Sequence, residues 1–114
     1  MNTVTIDVRT LEDSLADFAD AWKSGESSGP RISFASHELL WKTLTLKRWS
    51  IIKAMTGVGA MSIREIARRV NRDVKAVHGD VKALLEVGLL DKTENGQVIF
   101  PYDAVHVDFL LKAA

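Results

Sequence analysis

"MSIREIARRVNRDVKAVHGDVKALLEVGLL", residues 61–90, decides how this chain folds. Ser62 followed three residues later by Glu65 is a capping box, which satisfies free N–H groups at a helix start. Ile63, Ile66, Ala67 and Val70 then keep the one-face spacing of an amphipathic helix. Asn71-Arg72-Asp73 breaks that helix, and Asp73 is placed to cap the next. There Val74, Val77, Val81, Leu84 and Leu85 form the expected buried stripe, and Gly88 stands where a left-handed residue ends a helix.

Gly79 lies inside the second helix, at a cost of roughly 1 kcal/mol relative to alanine. With Val74 at zero and 100° added per residue, the apolar stripe spans about 280° to 20°. The opposite side carries Arg72, Lys75, Ala76, Gly79 and Ala83, flanked by Lys82 and Glu86. Cations among very small side chains suit close approach to base edges. Arg72, Lys75, Ala76, Gly79 and Lys82 are therefore the expected base-reading set. Packing of Gly79 against a neighbouring helix, or a mild kink at that point, is the alternative. His78, at the margin of the stripe, is expected to be packed.

Working outward, Ser36 starts a short helix through Thr43, and Thr45 caps another from Leu46 to about Met55. After Gly88, "LLDKTENGQVIFPY" reads as a hairpin, with Asn95-Gly96 supplying the positive backbone angles of a tight turn. Three helices, a tight break between the second and third, then a hairpin: this is the order of a winged helix-turn-helix. In that design the third helix enters the major groove, the second crosses the backbone and the wing flanks the duplex. Arg64, Arg68 and Arg69 on the second helix are the expected phosphate contacts, with Lys92 and Gln97 from the wing.

The ends of the chain are strand-like. "TVTIDV" alternates Val4, Ile6 and Val8 with polar residues, and "AVHVDFLL" alternates Val105, Val107 and Phe109. Thr10 opens an expected helix whose apolar face is Leu11, Leu15, Phe18, Ala19 and Trp22, followed by the linker-like "SGESSGPR" and a short strand in "RISFAS". The expected fold is α+β, mainly helical: a winged helix-turn-helix with an N-terminal strand-helix extension and a C-terminal strand. Residues 1–35 read as a dimerisation or partner region and 36–114 as the DNA-binding domain. Short terminal strands need partners, so a homodimer joined through Val4, Ile6, Val8, Leu15, Phe18, Trp22, Val105, Val107 and Phe109 is expected.

The net charge of zero is a sum of unlike parts. Residues 41–82 hold 10 basic and 3 acidic side chains, whereas 1–40 hold 3 and 7, and 83–114 hold 2 and 5. A basic middle between acidic ends fits one local anionic partner. The 114 residues include no cysteine, so disulfides and thiolate metal sites are excluded. His37, His78 and His106 have no metal-ligand spacing, and no nucleophile–base pair or phosphate loop stands out. No metal, cofactor or catalytic site is expected, and no membrane span; the plain reading is a cytoplasmic, non-enzymatic protein. Lys47, Arg48 and Lys53 read as surface decoration, and Trp22, Trp41 and Trp49 as core or interface residues.

"LTLKRWSIIKAM", the 61–90 stretch and "GQVIFPYDAVHVDFLL" resemble a family of prokaryotic winged-helix regulators, over residues 45–110. Some members are encoded beside a small toxin and act as the antitoxin of a two-gene toxin–antitoxin module. The resemblance implies a homodimer that binds operator DNA and represses its own operon, with a toxin protein as a candidate second partner. One departure is Leu46, where the family often has proline. The alternative is a protein-interaction module that uses the same scaffold without specific DNA readout.

Overall fold

The computed structural model describes residues 2–9, 15 and 29–109. Within residues 29–109 four helices form where the capping signals stand: α1 His37–Thr43, α2 Leu46–Met55, α3 Ile63–Val70 and α4 Val74–Glu86. Each is capped by a side chain. Ser36 Oγ accepts from the Leu39 N–H at 3.1 Å, Thr45 Oγ1 from Arg48 at 3.3 Å and Ser62 Oγ from Glu65 at 3.1 Å. Asp73 accepts from Lys75 at 3.1 Å and Ala76 at 3.4 Å. Such a cap is worth about 1 kcal/mol. Asn71 ends α3 with φ 54°, a left-handed conformation that asparagine tolerates, and this makes the three-residue break possible. Gly88 ends α4 with φ 85°, as its position predicts.

Antiparallel strands β3 Asp91–Lys92 and β4 Val98–Ile99 form the wing. Met61 adds a third rung, exchanging both backbone hydrogen bonds with Val98 at 2.9 Å. The turn differs from the expected one. Among the described non-glycine residues only Asn71 has a positive φ, so Asn95 does not adopt the left-handed angle assigned to it. Instead the Gly96 N–H closes a turn onto the Thr93 carbonyl at 3.0 Å, and Gly96 alone carries the positive φ, 78°. The Thr93 N–H donates to the Gln97 carbonyl at 2.9 Å, which leaves residues 94–96 as the loop proper, and a single left-handed residue at its end is enough to rejoin the strands.

The remaining strands, β1 Thr3–Val8, β2 Arg31–Phe34 and β5 Ala104–Asp108, form a parallel sheet in the order β2-β1-β5. Thr5 pairs with Arg31 and Val8 with Phe34 on one side; Thr3 pairs with Ala104 and Asp7 with Asp108 on the other. The terminal strands thus find partners within one chain, which removes the reason given above for an intermolecular partner. The sheet takes strands from both sides of the expected boundary at residue 35.

One core unites sheet and helices. Val4, Ile6 and Phe34 pack with Leu40 of α1, Ile51, Ile52 and Met55 of α2, Ile66 of α3, and Val77, Val81 and Leu84 of α4. Each such side chain contributes roughly 1.5–3 kcal/mol by leaving water. Val4 and Ile6 are fully buried there and so are closed to any partner, contrary to expectation. Val74 departs from the expected stripe. It is 42% exposed, whereas Val77, at about 300° on the same wheel, is fully buried. On the outer face of the sheet Asp7 is buried, accepting from Ser33 Oγ at 2.6 Å, Arg9 Nε at 2.9 Å and Arg31 Nη1. The expected helix over 11–23, with Phe18 and Trp22, lies outside the described residues, apart from Leu15, which is helical and 60% exposed.

Candidate nucleic-acid interface

The outer face of α4 is built from what its inner face leaves over. Val77, Val81 and Leu84 take the core, so Lys75, Ala76, Gly79 and Lys82 stand exposed on the other side. Gly79 has nothing within 4 Å of the position a Cβ would occupy, and its φ is not in the left-handed region. No neighbouring helix packs on it, which removes the packing alternative. His78 is also exposed: at about 40° it sits on the rim that the core does not reach, so the expectation that it is packed is corrected.

Arg72 is placed differently from Lys75. Its Nη2 lies 2.8 Å from Asp80 Oδ2, while Arg48 Nε of α2 donates to Asp80 Oδ1 at 3.0 Å. Arg48 also donates to the Thr43 carbonyl at 2.8 Å. Arg72 Nη1 is buried, with no hydrogen-bond partner among the described residues. The Arg72 guanidinium is therefore turned to the protein and not toward a ligand in front of α4. Burial is the largest effect on the Asp80 carboxyl and works against ionisation. The hydrogen bonds from Arg48 and Arg72 together outweigh it and hold the group below its ordinary value.

On α3, Arg64 is exposed, while Arg68 and Arg69 share one carboxylate. Glu65 accepts from Arg68 Nη2 at 2.5 Å and Nε at 3.0 Å, and from Arg69 Nε at 2.9 Å. Hydrogen bonds from Arg68 and then Arg69 lower the Glu65 carboxyl to about 2, against an ordinary 4.5, and the same contact raises Arg68. The two arginines are thereby held side by side on the helix surface. On the wing, Lys92 is exposed, and half-buried Gln97 is tied back by its N–H to Thr93 Oγ1 at 3.1 Å.

Two acidic residues escaped the reading of the sequence. In the sequence Glu65 reads as a capping residue, and the arginines three and four positions after it are the local signal for the fork. Asp80 was not singled out at all. On the helix wheel it falls near 240°, between stripe and outer face, but nothing local indicates Arg48, 32 residues away. Arg48 is correspondingly a half-buried link between helices and not surface decoration.

The HVO_A0114 family matches residues 43–107, from the end of α1 to β5 and more than half of the chain. The chain belongs to the HVO_A0114 family. The matched residues of this HVO_A0114 chain take in α2, α3, α4 and the wing, with Gly79, the Asp80 cluster and the Glu65 fork inside them. No curated protein matches this HVO_A0114 chain by sequence. Among solved structures it is similar to the multiple antibiotic-resistance repressor MarR from Listeria monocytogenes 4b F2365, at 11% identity and a TM-score of 0.46. That alignment covers 81% of this chain and 64% of the repressor, so the chain spans less than two thirds of the repressor's length. Among the described residues no group of acidic, histidine or cysteine side chains is arranged to hold a metal, and no helix is long and apolar enough to cross a membrane.

Proposed function

We propose that this chain is a sequence-specific double-stranded DNA-binding transcription regulator. α4 lies in the major groove with Lys75 and Lys82 reaching base edges, and Ala76 and Gly79 let its backbone come close. Arg64, Arg68 and Arg69 of α3 meet phosphates, and Lys92 and Gln97 do so from the wing. Arg72 leaves the base-reading set, because its guanidinium is given to Asp80. The observation that carries the reading is the open space over Gly79 between two exposed lysines.

The finer reading is an autorepressing antitoxin of a toxin–antitoxin module, acting as a cytoplasmic homodimer on an operator with two half-sites. It is supported by the sequence resemblance over residues 45–110. Titration of a labelled duplex from upstream of the chain's own gene, beside a scrambled duplex at two salt concentrations, tests the regulator. Tighter binding to the upstream duplex, weakening steeply with salt, is expected; equal affinities would overturn sequence-specific regulation. The antitoxin reading requires the product of an adjacent reading frame to co-purify with the chain, and to lose toxicity when the two are expressed together.

A further inference from the structure

The sheet order β2-β1-β5 leaves β5 as an edge, and among the described residues no strand lies beyond it. An edge strand presents a row of unpaired N–H and C=O groups. We propose that this edge pairs with β5 of a second copy of the chain, antiparallel about a two-fold axis at Val107, so that two three-stranded sheets continue as one of six strands. This gives the homodimer of the preceding section a location and a register. It rests on the dimeric part of that reading and not on DNA binding.

The register follows from the strand's own side chains. Across a two-fold axis, residues i and j face each other wherever i + j is constant, and antiparallel partners point to the same face. Val105, Val107 and Phe109 alternate with Ala104, His106 and Asp108. An axis at Val107 sets Val105 against Phe109 of the partner subunit and His106 against its Asp108, each twice by symmetry. An axis at His106 sets imidazole against imidazole and Ala104 against Asp108. An axis at Asp108 opposes two carboxylates, which is unfavourable. An axis at Val105 leaves Val107 and Asp108 beyond the paired strand. Only the Val107 register matches apolar with apolar and imidazole with carboxylate throughout.

The surroundings suit this occupant. Phe109 meets His37 edge-on at 5.3 Å and Trp41 at 5.6 Å, and Trp41 is 55% exposed. This apolar rim of α1 adjoins the end of the free edge. The opposite edge, β2, has Arg31 and Ser33 committed to Asp7.

The chain has no cysteine, so Val107→Cys supplies a single thiol for cross-linking the full chain. Residues opposed in an antiparallel pair are about 4.5–5.5 Å apart at Cα, inside the range a disulfide spans, roughly 4.4–6.8 Å. Mild oxidation should convert Val107→Cys to a covalent dimer and leave Val105→Cys, four residues out of register, uncross-linked. His106→Asp should weaken dimerisation on the order of tenfold in sedimentation equilibrium, since it opposes like charges twice. Combining it with Asp108→His should restore the wild-type constant, because the swap rebuilds each pair. Cross-linking at residue 105 in preference to 107, a swap that fails to rescue, or a monomer at tens of micromolar overturns the proposal. All of this is read without DNA: a dimer that ignores DNA overturns only the regulator, and a monomer that binds DNA overturns the homodimer and its edge pairing but leaves the regulator standing.

Discussion

Arg72 Nη2 and Asp80 Oδ2 stand 2.8 Å apart, joining the helix-turn-helix break to the middle of α4. The other oxygen of the same carboxylate holds Arg48, so three segments meet at one charge. Asp80→Asn leaves two largely buried guanidiniums without an anion and should lower stability by about 1–3 kcal/mol. The Asp80 carboxyl is held below its ordinary 3.8 in the fold, so its contribution is complete above that pH and is lost as pH falls through the folded-state value. Glu65, lowered from 4.5 to about 2, acts in the same direction. The difference in urea midpoint between wild type and Asp80→Asn should therefore narrow in acid; an equal difference at neutral and acid pH would contradict the assignment.

Gly79 provides a test with two readouts. Alanine meets nothing there and gains about 0.5–1 kcal/mol of helix propensity, a rise in melting temperature of about 2–5 °C. Gly79→Leu should also keep the fold, leucine being a good helix former, while its bulk holds α4 out of the groove and operator affinity collapses. Thermal melts and a binding titration of both variants decide the matter. A lower melting temperature for Gly79→Ala refutes the account of α4.

Lysines and arginines should divide by what they lose. Arg64→Ala or Arg68→Ala should weaken binding to operator and random DNA alike and reduce the salt slope by about 0.9 per phosphate contact. Lys75→Ala and Lys82→Ala should cost about 1–3 kcal/mol on operator alone and narrow its advantage over random DNA. Titrations of each variant on both duplexes check this, and uniform losses for all four would remove the distinction.

Glu65 lends a negative charge to a surface proposed to meet phosphate. Glu65→Gln should release Arg68 and Arg69, tighten binding to random DNA and steepen its salt dependence. Because the paired side chains also lose their fixed positions, discrimination for operator should fall. Unchanged salt dependence would show that the fork does not face DNA.

The wing separates two neighbouring residues. Gly96 carries φ 78°, so Gly96→Ala should cost about 1–2 kcal/mol of backbone strain. Asn95 carries no such angle, and Asn95→Ala should stay within about 0.5 kcal/mol. Comparable losses by chemical denaturation would restore the paired left-handed turn expected from Asn95-Gly96.

The winged-helix portion was legible because its signals are local. Ser36, Thr45, Ser62 and Asp73 bond the N–H groups two or three residues ahead of them, and Gly88 needs only its own φ. What was missed depends on distant partners. The period-two pattern of Val4 and Ile6 identifies a strand but not the neighbour 101 residues away that completes its pairing. Asp80 looks like surface until Arg48 is brought to it. Val74 and His78 show the limit of a helical wheel, which gives direction but not the reach of the neighbouring core.

The pairing of β1 with β5 also sets a clock. While the chain is being made at about 5–20 residues per second, β1 waits on the order of 5–20 seconds before its β5 partner exists. The helices, held by near contacts, have time to form within that interval, and the strand waits with one side open. Val4 and Ile6, fully buried in the finished protein, spend it less well covered, as two branched aliphatic residues in a short β-forming segment. The vulnerable stage for this protein is the seconds of synthesis before Ala104–Asp108 arrives, when a chaperone has something to hold.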